Sequence, residues 1–564
     1  MIRRILVLIF SGVMLLSSGC GLSSKSKNRL FGDKWATYHF TWAINQGNNE
    51  YLAELIKENK NDEDLLNDAL TMALATTKNT KNRAFMVEQL IEAGADPNTK
   101  SSTGESLLIT YLYNYGGCYD ATAALLTSDK IDLNVKDSTG RSVLFNAMST
   151  AASDFECSNY HQVKMLAAKG AKPTKELFQK SSDKNQAYEN LRNSPYSTKY
   201  LLNAMLESGE ESGLPLSLEY ALLGNIDDAI KELEKSDDDL DEDQINLFVR
   251  YTMYWGTPEQ FEKILNMWDL DFSKYKIYAK VAETNNVDML KYLVKKFDLN
   301  LSDPEKEESV LDIFNSAAIM GSSDVCEYLS ENKCITGTDY RPRKLLLSYA
   351  LSSQDFDTFK IVYDYMRSQE EITEEEIDDA LNNASTYRLY NESLPEFYYK
   401  IFDFLFSEGY TLENFRILNL TYDGYKYIIE KGRPVTEQDL FDAIKITDID
   451  IFKYAVENGA DVNSIDPEYT ENGSEISAIQ DAVGTGKEFV SVLIDNDAEI
   501  PDDIMKSTTN SSVETVKLLI ENGADTDIRF DKIPTSTKGS YKSGDYDLKD
   551  YWEAYGRDDL AELL

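Results

Sequence analysis

Apolar positions recur along this chain at helical spacing. Val513, Val516, Leu519 and Ile520 fall on one stripe of a predicted helix. Gly523 follows, where a helix needs a residue that tolerates positive φ in order to stop. The same shape returns elsewhere as an acidic residue with Leu five positions later and apolar residues between. It begins at Glu50, Asp228, Asp288, Asp324, Glu488, Glu514 and Asp559. Looser copies begin near Phe85, Asp120, His161, Tyr200, Gln260, Asp357, Lys400, Gly424 and Asp450. These sixteen candidate units recur about every 34 residues, a period that belongs to stacked helical repeats. The leading acid suits the positive end of each helix dipole. The pattern predicts an all-α solenoid, each unit packed on its neighbours.

The helix exits narrow the choice of repeat. Gly94-Ala95-Asp96-Pro97-Asn98, Gly459-Ala460-Asp461-Val462-Asn463 and Gly523-Ala524-Asp525 end three predicted helices, with variants at Ile131 to Asn134 and Gly170 to Lys172. Asp137, Gly140, Ser142, Leu144, Phe145 and Ala147 then follow a hairpin-to-helix spacing, with a weaker copy at Gly104 to Leu108. Ala43, Ala221, Ala282, Ala318, Ala482 and Ala554 each precede a small or polar turn residue. Together these residues resemble the ankyrin repeat, whose helix pair is followed by a protruding β-hairpin. The resemblance covers roughly residues 36 to 564 and is uneven. Units 83–172 and 440–527 match best, and the family's Thr-Pro-Leu-His entry is nowhere intact. What it implies is an ankyrin-like array of about sixteen degenerate units, with a few β-hairpin loops and plain turns in the middle, 173–440.

The N-terminus reads as a processing segment. Arg3 and Arg4 precede an apolar run from Ile5 to Leu16, too short to span a bilayer. Ser17-Ser18-Gly19-Cys20 follows and resembles a bacterial lipoprotein signal. Cleavage after residue 19 would leave Cys20 as a lipidated N-terminus; the alternative is an ordinary secretory signal with an incidental Cys. Two or more acyl chains hold a protein on a membrane durably. Residues 20–34 then form a flexible tether, and 35–564 one elongated array. Trp35 and Trp42 would cover its exposed first unit. Residues 528 to 548 read as a last long loop, and 546–564 as a closing helix pair.

Charge sets the choice of partner. The formal charge is −41, and loss of residues 1 to 19 removes Arg3 and Arg4 to give −43. Such a field repels nucleic acid and anionic lipid and favours a basic protein partner. The bland alternative is a solvated surface. Cys118, Cys157, Cys326 and Cys334 remain after Cys20. Export would permit pairing of Cys118 with Cys157 and of Cys326 with Cys334; the alternative is four buried thiols.

Catalytic signals are weak. The two histidines, His39 and His161, leave little for zinc hydrolase or Ser-His-Asp chemistry. Gly484-Thr485-Gly486-Lys487 has the end of a phosphate loop, but Asp481 stands where its first glycine belongs and Glu488 where Ser or Thr does. Asp237, Asp239 and Asp241 have calcium-loop spacing, with Glu242 in the Gly position and Phe248 in that of the bidentate Glu. No cofactor or metal is expected. The reading is a non-enzymatic protein-binding scaffold on the extracytoplasmic side of a bacterial membrane. Its rivals are an inhibitor or immunity protein and a structural spacer. Carried over from the resemblance, the best hairpin tip is Asp137, Ser138 and Thr139 with Arg141. Tyr111, Tyr113 and Tyr115 form the adjoining helix face; alternatively those tyrosines pack the solenoid.

Overall fold

Many of the described helix exits share one piece of backbone chemistry. At Gly523 the chain turns left-handed, φ +91°, and the Ala524 N–H reaches back to the Leu519 carbonyl at 3.0 Å. At Gly94, φ +108°, Ala95 does the same to Leu90 at 2.9 Å. This six-to-one bond satisfies a carbonyl that the helix leaves open. The following Asp finishes the turn: Asp525 Oδ1 accepts the Asp527 N–H at 2.8 Å, and Asp96 Oδ1 accepts that of Asn98 at 2.9 Å. Each residue of the Gly-Ala-Asp exit thus has a separate physical task.

The computed structural model describes residues 33–46, 49–75, 83–101, 104–115, 119–149, 156–178, 194–236, 240–271, 277–301, 307–333, 340–384, 396–467, 475–534 and 541–564. They are mostly helical. Helices pack on the next in sequence and on the next but one. Tyr278–Glu283 lies against both Val287–Lys296 and Glu307–Ile319, and Ser323–Glu331 lies against Phe356–Gln369. This is repeat-like helical packing. Ala43, Ala221, Ala282, Ala318 and Ala482 are fully buried, as expected of small residues where paired helices approach.

Polar side chains stitch one helix pair to the next. Asn67 Oδ1 accepts the Asp96 N–H at 2.6 Å, and Asn463 Oδ1 that of Glu499 at 2.7 Å. Asn286 Nδ2 donates to the carbonyls of Met253 (3.1 Å) and Gly256 (2.8 Å), while its Oδ1 caps the next helix through the Met289 N–H at 3.2 Å. These bonds satisfy backbone groups that a turn would otherwise leave unpaired.

By contacts the chain divides into two units. One holds 100–415 and 431–433; the other holds the chain up to Thr99, Arg416–Glu430 and Pro434–Leu564. Within the latter, the first helices meet the last. Tyr51 lies under Arg557, and Asn49 Nδ2 donates to Thr447 Oγ1 at 3.1 Å. The helix Asp33–Gln46 therefore begins a segment with a spatial neighbour that the expectation of an exposed first unit did not include. The side chains of Trp35 and Trp42, and residue Cys20, lie outside the described residues.

Short hairpin-like bridges join Lys100 to Ser106, Lys136 to Ser142 and Ile465 to Ser477. All three fall in the regions where the repeat pattern is clearest. The expected loop at 528–548 is instead an antiparallel hairpin of β1 (Phe530–Pro534) and β2 (Tyr541–Tyr546). It is anchored by Phe530, whose ring stacks on Tyr551 at 3.9 Å. The closing helices follow as expected, at Leu548–Ala554 and Asp558–Ala561.

Candidate functional site

The hairpin at 136–142 is built around one carboxylate. Asp137 donates its N–H to the Arg141 carbonyl at 3.0 Å, and Gly140 donates to the Asp137 carbonyl at 2.9 Å. Gly140 sits at φ +86°, a conformation that a side chain would strain. Asp137 Oδ1 accepts the Thr139 N–H (2.9 Å), the Thr139 hydroxyl (2.6 Å) and the Arg141 N–H (2.9 Å). Its Oδ2 accepts Asn146 Nδ2 at 3.2 Å. From the preceding repeat, Glu105 Oε1 takes the Ser138 N–H at 2.8 Å.

This arrangement separates what holds the tip from what the tip offers. Asp137 is turned inward and its oxygens are occupied. Burial works against its charge, but the Thr139 hydroxyl, the Arg141 N–H and the Asn146 amide together hold it below the usual carboxylate range. Ser138, Thr139 and Gly140 are exposed. Arg141 is half-buried, its guanidinium carbon 4.9 Å from the Phe145 ring centroid. The outward chemistry is the exposed Ser138 and the half-buried Arg141 cation on fixed backbone, with the Thr139 hydroxyl turned to Asp137.

Of the tyrosines on the expected helix face, Tyr111 follows the packing alternative. Tyr111 is 1% exposed and packs in the core, so its ring supports the repeat and offers no surface. Helical geometry explains this, because positions 108, 111 and 112 form one stripe and all three are buried. The side chains of Tyr113 and Tyr115 lie outside the described residues.

Other sequence signals resolve into local structure. Asp241 is a helix N-cap: its carboxylate accepts the Gln244 N–H at 2.9 Å, and Gln244 Oε1 accepts the Asp241 N–H at 3.1 Å. Asp237 and Asp239 lie outside the described residues, as does the His161 side chain. Residues 484–487 make the turn between Ala478–Ala482 and Lys487–Asp495, with the Thr485 N–H on the Ala482 carbonyl at 2.9 Å. Cys326 is a buried free thiol, and burial pushes its pKa up. Cys118, Cys157 and Cys334 lie outside the described residues.

Two further features were not legible in the sequence. The C-terminal hairpin presents Tyr541, 61% exposed, beside the run of rings Phe530, Tyr551 and Tyr555. A shallow polar groove is lined by Glu58, Asn59, Asn61, Asp62, Glu63 and Asp64. Asp62 there already accepts the Leu65 N–H at 3.1 Å. Among the described residues no cluster of His, Cys, Asp and Glu is placed to hold a metal ion, and no helix is long and apolar enough to cross a membrane. No protein-family model matches the chain, and no curated protein matches it.

Proposed function

We propose that this chain is a non-enzymatic protein-binding scaffold of ankyrin-like repeats, held by a lipid on Cys20 at the extracytoplasmic side of a bacterial membrane. The observation that carries the reading is the hairpin tip at Ser138–Gly140. It is exposed, and its backbone is fixed from below by Asp137 and from the neighbouring repeat by Glu105. A surface fixed before binding loses less freedom on association. The three hairpin-like bridges and the left-handed glycine exits support the ankyrin-like assignment. The net charge of −41 favours a basic partner, whose association such a field would speed.

The test is capture of partners by residues 21–564 in an envelope extract at about physiological salt. The same capture is repeated with Ser138→Asp, Thr139→Asp and Arg141→Glu combined. Asp137 stays in place, because its loss would disturb the loop itself. One dominant protein, lost with the altered tip, supports the scaffold; a basic toxin or hydrolase as that protein would make it an inhibitor. Salt-labile capture of many basic proteins, indifferent to the tip, would defeat the reading and leave a spacer. Cys20→Ser should move the protein from the membrane fraction to the soluble one, and unchanged fractionation would remove the lipid anchor.

A further inference from the structure

The exit turn after the helix Glu396–Glu408 departs from its counterparts. Gly409 is left-handed at φ +97°, and the Tyr410 N–H closes on the Leu405 carbonyl at 3.1 Å. Three residues after that glycine, Leu412 is also left-handed, φ +58°, with its side chain fully buried. That conformation is costly for a non-glycine residue, so it persists where the surroundings impose it.

Charged groups impose it from two sides. Glu374 Oε1 accepts the Leu412 N–H at 2.6 Å and the Thr411 N–H at 2.7 Å. Arg433, 3% exposed, donates Nε to the Leu412 carbonyl at 3.0 Å and Nη2 to the Phe415 carbonyl at 2.9 Å. Both backbone groups of the strained residue are therefore held by opposite charges. One turn beyond Glu374, on the helix Glu374–Ala384, Asp378 Oδ2 accepts the Asn414 N–H at 3.1 Å. Asn382 Nδ2 donates to the Asn414 carbonyl at 3.3 Å.

Asp378 is the unstable member. It is 2% exposed, and its Oδ1 is buried with no donor in hydrogen-bond range. Burial pushes its pKa up to about 6. Glu374 adds to this by repulsion, against the pull of Asn414 and Arg433. On the same helix Glu376 caps its start through the Thr373 N–H at 3.0 Å. Glu413 on the turn is exposed, and Lys431 is paired with Asp403 at 2.5 Å. Tyr410, whose hydroxyl donates to the Ile372 carbonyl at 3.1 Å, is raised above its ordinary range by burial and stays neutral.

We propose that Glu374, Asp378 and Arg433 form a proton-gated clamp on the turn 410–415, where the chain leaves the unit 100–415. Opening would expose Asp378 to water, return it to an ordinary carboxylate, and let Leu412 relax to negative φ. The closed clamp holds the extra proton, so acid closes it and neutral pH loosens it. Lys431–Arg433 belong to the same unit as the turn, so the clamp is complete within that unit. It does not depend on the proposed location, although a protein outside the cytoplasmic membrane would meet such pH changes directly.

The experiment is amide hydrogen exchange of residues 409–415 in the full chain at about pH 5 and about pH 7.5, corrected for intrinsic rates. With one carboxyl moving between about 3.8 and about 6, protection should be about tenfold greater at the lower pH. The Gly523 turn serves as the reference. Asp378→Asn should abolish the difference. Glu374→Gln keeps an acceptor and removes the repulsion, so it should move the crossing to lower pH. Equal protection at both pH values in the wild type would overturn the proposal. So would a pH dependence that survives Asp378→Asn. If that variant does not fold, a crossing unmoved by Glu374→Gln overturns it equally.

Discussion

The guanidinium carbon of Arg557 lies 5.1 Å from the ring centroid of Tyr51, joining residues from near opposite ends of the chain. Arg557 is 3% exposed. It is forked to Asp559 through Nε at 3.0 Å and Nη2 at 2.7 Å, and donates Nη1 to the Thr509 carbonyl at 2.8 Å. The Tyr51 hydroxyl in turn meets His39 Nδ1 at 2.6 Å. Burial raises the Tyr51 pKa although Arg557 pulls it down, so the hydroxyl is neutral at any ordinary pH.

Removing Arg557 should therefore loosen the first helices as well as the last. Arg557→Ala removes the guanidinium from Asp559 and opens the space over the Tyr51 ring. The expected cost is about 2–4 kcal/mol in the unit that holds both ends, read as a lower urea midpoint. Exchange should rise at both 33–59 and 547–564. A rise confined to the C-terminal helices would show that the contact does not hold the ends together. Tyr51→Phe should cost about 1 kcal/mol, the value of one hydrogen bond.

A second outcome concerns Asp442, which is fully buried. Arg416 Nε donates to its two oxygens at 3.0 and 2.8 Å, and the Ile417 N–H adds a bond at 3.2 Å. Asp442→Ala removes the carboxylate that Arg416 grips. Because Arg416 keeps 27% side-chain exposure, the cost should fall near or below the low end of about 3–5 kcal/mol. Replacing both residues, as Arg416→Met with Asp442→Leu, should cost less than the single change. Thermal unfolding of the three variants checks the order, and a double variant worse than the single would refute it.

The glycine exits give a cleaner test, because nothing crowds them. A Cβ added at Gly94 or Gly523 would meet no atom within 4 Å. Alanine there should cost about 1 kcal/mol from backbone conformation, and Asn less. Gly484, whose φ is not in the left-handed range and whose nearest atom is 3.9 Å away, should accept alanine with little change. Equal losses at Gly94 and Gly484 would show that φ is not the cause.

Acid should release the hairpin tip. Asp137 is held below its unfolded value by the donors around it. Its contribution is present above that ordinary carboxylate range and is lost as pH falls through the lower folded value, below about pH 4. Exchange at 138–141 should rise in that window for the wild type. In Asp137→Ala it should be high throughout, with a loss of about 1–2 kcal/mol.

The exit turns show how far the pattern of residues carried. Where glycine takes the left-handed position, the Gly-Ala-Asp signal exposes the repeat. At Asp269, Asp298, Thr447 and Asp497 the same conformation is filled by other residues, φ +48° to +64°. There too the next N–H bonds back five residues, as from Leu299 to Val294 at 2.9 Å. At Asp269 and Asp298, both within 173–440, the turn thus recurs while the letters do not.

The candidate site was half legible. The Asp137 to Gly140 spacing located the hairpin, but spacing does not say which side chains turn inward, and Asp137 does. The strands β1 and β2 were missed because their alternation is short and mostly polar, with Phe530 as the one buried side chain. The meeting of Tyr51 and Arg557 was not legible at all. Each residue looks locally ordinary, and no pattern in either stretch names the other.

That meeting also limits how such a chain can change in length. An open array can gain a repeat at either end by duplication, since the new unit stacks on a free face. Here the place beside the first helices is already taken by the Arg557 segment. A change that displaces either the Tyr51 helix or the Arg557 segment would uncover the other, so neither stretch can be rebuilt without a matching change in its neighbour.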